Sequence, residues 1–481
     1  MDSRYLIPLF IACAFLLNPV VLSAEITDHA HIANTGINSS IDILYPRSTI
    51  PVLVEINGSF TIQFIAPSFD TLQVEISTAY DAISDVFNLQ VIDIWMEDDI
   101  CYSTVKIPAD VPEELYNITL TVDGLSATRP RAVAVKEEIN GNFSFVHLTD
   151  FHIGDPRGAT VDIWQTIGWK AAKKSVEEIN LLHPDFVIIT GDLVFGQAYP
   201  GEYPREYRKC YEILQEFQVP TFLCPGNHDG YVQTGQDGFK YWKEYFGPLY
   251  YSFNYGDAHF TSINSYDWPK KERAAFFFIP LNWGGYIQDE QLQWINDDLL
   301  KYSDARLKVM MLHHNPLWDT KSESLLHNGY RGREELMAMI NRYGVDAVFD
   351  GHVHYDNITI QNDTLFVTTT TASSSLSASD AYWGYRLIDV NNYTIESYNY
   401  KEPKYSIPSY NINCYDDNDY RKTIENKLDM DIQVEVTFLL PKGEYSVDNG
   451  VIKMIREKGD LIELYVDVDV PGNSSVTVGV H

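Results

Sequence analysis

Basic residues are scarce in this chain. It carries 35 Lys and Arg against 67 Asp and Glu, a formal net charge of −32. A nucleic-acid backbone needs a basic surface, so nucleic acid is set aside as a partner. Cysteine is scarce as well, five in 481 residues. Cys13 lies in the N-terminal apolar stretch, and Cys101, Cys210, Cys224 and Cys414 lack metal-ligand spacing, which argues against a thiolate metal site. Those four allow three disulfide pairings, with Cys210 and Cys224 closest in sequence, and free buried thiols fit equally. Long apolar runs are missing beyond Tyr5 to Leu22, so no second membrane span is expected. At this length one compact core is too small a frame, and two or three domains are expected.

What the chain does have is five short polar blocks in fixed order: Asp150-Phe-His152, Gly191-Asp192, Gly226-Asn227-His228-Asp229, His313-His314-Asn315-Pro316 and Gly351-His352-Val-His354. Each follows an apolar run that reads as a buried strand, at Phe145 to Leu148, Phe186 to Thr190, Thr221 to Leu223, Val309 to Leu312 and Ala347 to Phe349. In layered α/β folds ligands bind in the crevice beyond the strand ends, so the five blocks are expected to converge on one site.

The donor types suit two metal ions. One carboxylate can bridge two cations, with His, Asp and Asn completing each shell. Asp192 is assigned as the bridge. Asp150, His152 and His354 would hold the first ion; Asn227, His352 and one of His313 or His314 would hold the second. A hydroxide between two such ions is a nucleophile at neutral pH, which points to hydrolysis of a phosphate ester. Asp, Asn and His ligands suit Mn, Fe and Zn alike.

Read together, Asp-x-His, Gly-Asp, Gly-Asn-His-Asp, His-His-x-Pro and Gly-His-x-His resemble the ordered motifs of the calcineurin-like metallophosphoesterase family, over about residues 140–400. The resemblance implies an α/β fold, a four-layer sandwich of two mixed β-sheets flanked by helices, with a dinuclear centre and in-line attack on phosphorus. It also makes His228 the residue that contacts the phosphate and protonates the leaving oxygen. Asp229 would orient the His228 imidazole or serve as a structural turn residue. Protein phosphatases of the family carry Gly-Asp-x-x-Asp-Arg-Gly and Gly-Asn-His-Glu, whereas this chain reads Gly191-Asp-Leu-Val-Phe-Gly196 and ends the other block in Asp229. Purple acid phosphatases place a Tyr ligand three residues after the bridging Asp; here Phe195 stands there. The pattern is nearest to the branch of small-molecule phosphodiesterases and monoesterases. In the histidine pair, His314 stands two residues before Pro316, as in many relatives, and is slightly preferred, while the strand end selects His313.

Arg4 followed by the apolar Tyr5 to Leu22 and by Ser23 and Ala24 reads as a signal segment over 1–24, and uncleaved it would tether the chain to a membrane. Eight Asn-x-Ser/Thr sequons, at Asn38, Asn57, Asn117, Asn142, Asn357, Asn362, Asn392 and Asn473, fit a secreted or extracytoplasmic glycoprotein. Period-two alternation, as at Tyr116 to Val122, gives a β-sandwich module over 25–138. The same alternation at Ile432 to Phe438 and Ile462 to Val470 gives a β-rich module over 401–481. Amphipathic helices are expected at Asp162 to Leu182 and Gln288 to Tyr302. The loop Trp268 to Tyr286, with Phe276-Phe277-Phe278, Trp283, Lys270, Lys271 and Arg273, reads either as a lid over the site or as packing against a β module. Tyr382 and Trp383, after the serine-rich Ser373 to Ser379, are candidates to line the pocket.

The leading expectation is an exported dinuclear phosphoesterase acting on a small organic phosphate ester. The alternatives are a phosphodiesterase for cyclic nucleotides or glycerophosphodiesters, and a non-enzymatic surface binding protein on the same scaffold.

Overall fold

The computed structural model of the chain describes residues 41–67, 70–80, 82–155, 167–197, 201–276, 279–318, 329–374, 382–397 and 407–481. The signal segment, Cys13, Asn38, Phe277, Phe278, His327 and Ser375 to Ser379 lie outside the described residues. Among the described residues no helix is long and apolar enough to cross a membrane.

The apolar runs that precede the polar blocks are strands of two six-stranded sheets. In the first, Phe143–Leu148 pairs in parallel with Phe186–Thr190, which pairs in parallel with Thr221–Cys224, while Gly384–Asn391 closes antiparallel on Phe143–Leu148. In the second, Ala258–Ser262, Leu307–Met311, Ala347–Asp350 and Thr364–Thr368 run parallel, flanked by antiparallel Tyr251–Tyr255 and Asn357–Gln361. Both faces of each sheet are covered, which is why these strands read as unbroken apolar runs. Phe145, Ile188, Phe222, Phe260, Val309 and Phe349 form a shared layer between the sheets. Phe145 stacks on Phe186 with ring centroids 5.3 Å apart. Truncating such a fully buried ring would cost about 3–5 kcal/mol.

The alternate residues of the same strands face helices. Val146, Leu148, Val187 and Ile189 pack with Ala172, Val176 and Ile179 of the helix Ile167–Leu182 and with Tyr207 and Leu214 of Tyr203–Leu214. On the far side Met310, Val348 and Phe366 meet Leu292, Ile295 and Leu299 of Asp289–Lys301 and Leu336 and Ile340 of Arg333–Tyr343. The layer order is helix, sheet, sheet, helix, the α/β architecture expected from the motifs. The four described cysteines are free: Cys210 packs in the helix-facing layer and Cys224 between the sheets, so the two nearest in sequence lie on opposite sides of one sheet.

Two further β units flank this sandwich. A four-stranded sheet (Asp42–Tyr45, Ser59–Ile65, Ile100–Lys106, Gln90–Glu97) faces a five-stranded one (Val52–Glu55, Leu125–Lys136, Glu114–Val122, Leu72–Thr78, Val86–Asn88) around Ile62, Phe64, Ile76, Val105, Ile118 and Val133. Buried Arg131 ties it to the central sandwich, donating to the Phe217 and Val219 carbonyls at 2.7 Å each. At the other end of the chain, Ile432–Pro441 pairs with Leu461–Val470 along ten residues, and its apolar face shares a core with the helix Ile167–Leu182.

Candidate metal centre

All five blocks sit just past strand ends that point to one edge of the two sheets, and the loops are pinned to each other by continuing the ladder. Asp150 donates its amide to the Gly191 carbonyl at 3.0 Å, His152 to Asp192 at 2.9 Å, and Gly351 to His313 at 3.2 Å. The close approach depends on glycine: a Cβ on Gly226 would run into the Asp192 carboxylate, and one on Gly351 into Thr149 and Asp150. Backbone strain is concentrated here too. Asp150, His152, Asp192, His352 and His354 all have positive φ, between 46° and 74°. A non-glycine residue in that region costs of order 1–3 kcal/mol, and such residues gather at functional sites.

The side chains form two interlocked sets. Asp150 Oδ1 lies 3.1 Å from His354 Nε2 and 3.4 Å from His152 Nε2. Asp192 Oδ2 lies 3.4 Å from His152 Nε2 and 3.2 Å from His313 Nε2, so one carboxylate oxygen stands between the sets. His313, His314 and His352 group on the far side. The second carboxylate oxygens are held from behind: Asp150 Oδ2 accepts from Thr149 Oγ1 and the His352 amide, and Asp192 Oδ1 from the His228 amide at 2.8 Å.

A cation fits this donor set. Asn227 Nδ2 donates to Tyr231 Oη at 2.6 Å, which turns Oδ1 away as a buried oxygen with no hydrogen-bond partner. His313 Nδ1 donates to the Thr190 carbonyl at 2.7 Å, which leaves Nε2 toward Asp192, misaligned for a hydrogen bond and without a partner. Buried polar atoms left unsatisfied are expensive unless something absent from the polypeptide pairs with them. Electrostatics agree. Burial alone would raise the Asp150 carboxyl, but His354, His152 and His313 hold it well below the carboxylate range. Asp192 is held low against its own burial, by His313 first and then His228. Burial opposes a proton on His313, but Asp192 above all pushes that imidazole up to about 10. Burial and then His313 bring His352 down to about 3. In the bare protein a proton therefore sits where a cation would take its place.

At two positions the geometry favours one of the alternatives the sequence left open. His314, slightly preferred from its spacing to Pro316, has both ring nitrogens engaged: Nδ1 with Ser265 Oγ at 2.9 Å and Nε2 with the Trp283 carbonyl at 3.0 Å. His313 is the member of the pair that faces Asp192. Asp229 does not orient His228. Its carboxylate accepts from the backbone amides of Leu193, Val194 and Gly226, so it laces the Gly191 and Gly226 loops together. Burial and then Asp192 push that carboxyl up to about 8, against the pull of those amides. The His228 ring is held instead by the Phe195 carbonyl, which accepts from Nδ1 at 2.5 Å, with Nε2 4.0 Å from Asp192 Oδ2.

Sequence reading missed three supports, Tyr231 behind Asn227, Ser265 behind the histidine pair and the Phe195 carbonyl. Tyr231 is the only one with a local signal, one helical turn after Asn227 on Asn227–Gly230. The loop Trp268 to Tyr286 lies at this site rather than on a β module. Its Arg273 is buried on Asp237 and the Gly230 carbonyl, and the Trp283 ring stands 6.0 Å from that of His352. Tyr382 hydrogen-bonds Asp356 and Trp383 the Ser374 carbonyl, so both brace the loop behind His354.

Comparison with known proteins agrees. The family model for calcineurin-like phosphoesterases matches residues 143–356. A probable glycerophosphodiester phosphodiesterase of Arcobacter nitrofigilis is 26% identical over 208 residues, 42% of this chain and 70% of that protein. Purple acid phosphatase 23 of Arabidopsis thaliana is 28% identical over 203 residues, 36% of this chain but only 41% of that relative. Among solved structures, a purple acid phosphatase from yellow lupin seeds superposes with a TM-score of 0.43 at 13% identity, covering 82% of this chain and 72% of that one. The motif order, the layered fold and the matched family model place residues 143–356 in the calcineurin-like phosphoesterase family, as a metal-dependent hydrolase of phosphoric esters.

Proposed function

We propose that the chain is an exported phosphoesterase that hydrolyses a small organic phosphate ester at a two-metal centre. The observation that carries this reading is the position of Asp192 Oδ2 between His152 Nε2 and His313 Nε2, with Asn227 Oδ1 buried and unpartnered. Asp150, His152, His354 and Asp192 would hold one divalent cation; Asp192, Asn227, His313 and His352 would hold the other. When bound, such a pair polarises the phosphoryl group and lowers the pKa of water to near neutrality. His228, with Nδ1 fixed by Phe195, would as imidazolium present Nε2–H to the leaving oxygen, a general-acid contribution of about 10²–10⁴-fold.

A diester substrate is the second reading, and one feature favours it. A monoester dianion profits from a guanidinium clamp, yet among the described residues three arginines on the flanking segments are occupied. Arg273 is paired with Asp237, Arg386 with Asp356, and Arg331 lies over the Trp268 ring. Export is supported by the N-terminal apolar stretch and by the setting of four sequons. Asn57, Asn362, Asn392 and Asn473 are exposed, with positive φ, at the turns between strands. Asn117, by contrast, is spent on Thr78 and Arg131.

The test is hydrolysis of aryl phosphate mono- and diesters with Mn²⁺, Fe²⁺ or Zn²⁺, with bound metal counted by elemental analysis, beside Asp192→Ala and His228→Ala. Two equivalents of metal in the parent, with turnover lost in both variants, is the expected result. Bound metal with no turnover on any ester would favour a binding protein on a phosphoesterase scaffold.

A further inference from the structure

The segment leading into the metal centre presents apolar side chains to solvent. Ile279 is 54% exposed, Leu281 40% and Trp283 38%. The residue between the last two is anchored inward. Asn282 is 3% exposed, its Nδ2 donates to the Glu272 carbonyl at 2.8 Å and its own carbonyl accepts from Tyr266 Oη at 2.7 Å. Exposure alternates with burial from Leu281 through Asn282 to Trp283, so the apolar side chains share the outward side of a segment fixed from beneath by Asn282. The row is continuous with the site at one end. The Trp283 carbonyl accepts from His314, and its indole stands 6.0 Å from the His352 ring. Two more aromatics follow the other blocks directly: Trp318, two residues after Pro316, stacks with Tyr355, one residue after His354, centroids 6.0 Å apart. Contiguous apolar side chains held outward on a fixed backbone mark interaction surfaces. Arg273 on the same loop is turned inward, its Nε donating to the Trp268 carbonyl and its guanidinium paired with Asp237.

We propose that the row Ile279, Leu281 and Trp283 is a subsite for an extended apolar alcohol, so that the preferred ester joins phosphate to an alkyl or aryl-alkyl group. This rests on the reading of the metal centre as a phosphoesterase site. The row runs outward from Trp283, so the chain of the alcohol lies along Leu281 and then Ile279 while the phosphorus sits at the cluster. In hydrolysis water adds to phosphorus, one P–O bond breaks and the proton goes to the departing oxygen; the apolar group is either the departing alcohol or the one retained.

The test measures kcat/KM on n-alkyl phosphates and on p-nitrophenyl n-alkyl phosphates, methyl to octyl, for the parent and for Ile279→Asp/Leu281→Asp, with melting temperatures alongside. The parent is expected to gain about twofold per methylene at half burial, about 100-fold from methyl to octyl. The double variant is expected to flatten that rise to within about threefold while leaving methyl-ester turnover and the melting temperature unchanged. A flat parent series with good methyl-ester turnover overturns the subsite and leaves the phosphoesterase reading intact. An equally steep rise in the variant also overturns it, by placing the chain elsewhere. A lowered melting temperature with no change in slope means the row is covered by the protein itself. No turnover of either methyl ester with any metal removes both readings together.

Discussion

His259 and Asp298 meet between the second sheet and its covering helix with every polar atom engaged. The imidazole has Asn254 Oδ1 at 2.7 Å and Asp298 Oδ2 at 2.9 Å on its two nitrogens, and Asp298 also accepts from Ser252 and Thr261. Neither residue has unusual backbone geometry. At the strand ends the same residue types are buried just as deeply, yet Asn227 Oδ1 and His313 Nε2 have no partner and five residues carry positive φ. Burying histidine against aspartate is therefore compatible with either role. What separates them is whether the polypeptide completes the bonding by itself. The first region is structural; the second is built to receive something else.

The sharpest way to break this contrast is to remove one carboxylate from each region. Asp192→Ala is expected to abolish metal uptake and ester hydrolysis while the chain stays folded, because a strained, incompletely bonded cluster contributes little net stability. Asp298→Ala should do the reverse. Leaving His259, Ser252 and Thr261 without their acceptor should cost about 3–5 kcal/mol, read by denaturant unfolding, with metal content unchanged. Equal destabilisation in both variants would end the distinction. Next in size is His228→Ala, expected to lower kcat by about 10²–10⁴-fold with both metals retained. Loss of metal in that variant would instead make His228 a ligand.

A third buried carboxylate tests the electrostatic half of the comparison. Glu178 faces the Tyr385 hydroxyl and the Ile412 amide, and burial raises it to about 7 despite Lys174. The folded state then holds a proton that the unfolded state releases near pH 4.5. Stability from this group is complete below about 4.5 and is lost as pH rises to about 7, the opposite of a carboxylate held low by histidines. Glu178→Gln should flatten that window, by at most about 3 kcal/mol, in melting curves taken across it.

How much of this was legible in the sequence follows from where each signal resides. The two central sheets were legible because strands covered on both faces, such as Phe186–Thr190, read as short unbroken apolar runs. The alternating strands of the flanking β units were legible for the complementary reason, one face solvated. The blocks told which residue types meet, since Asp192, Asn227 and His354 each follow such a strand. Tertiary hydrogen bonding was invisible. Nothing local in Gly226-Asn-His-Asp229 says that Asp229 answers to the amides of Leu193 and Val194, or that a carbonyl from Phe195 holds His228. The loop Trp268 to Tyr286 failed to announce its place because Arg273 pairs with Asp237 through the fold, 36 residues back.

The adjacent histidines give the finest version of the comparison, since one chain position separates the two kinds of bonding. His314 resembles His259: each ring nitrogen has a partner, Ser265 on one side and the Trp283 carbonyl on the other. His313 has one nitrogen on the Thr190 carbonyl and the other turned to Asp192. Spacing to Pro316 cannot tell them apart, because both lie past the same strand end. If bonding decides the role, His313→Ala loses one equivalent of metal by elemental analysis, whereas His314→Ala keeps both. The latter should lose only about 10–100-fold in activity, the usual cost of removing a group that orients a centre without ligating it. Should His314→Ala be the variant that gives up an ion, its nitrogen must abandon the Trp283 carbonyl in the loaded protein. The row of apolar side chains that ends at Trp283 would then move with it.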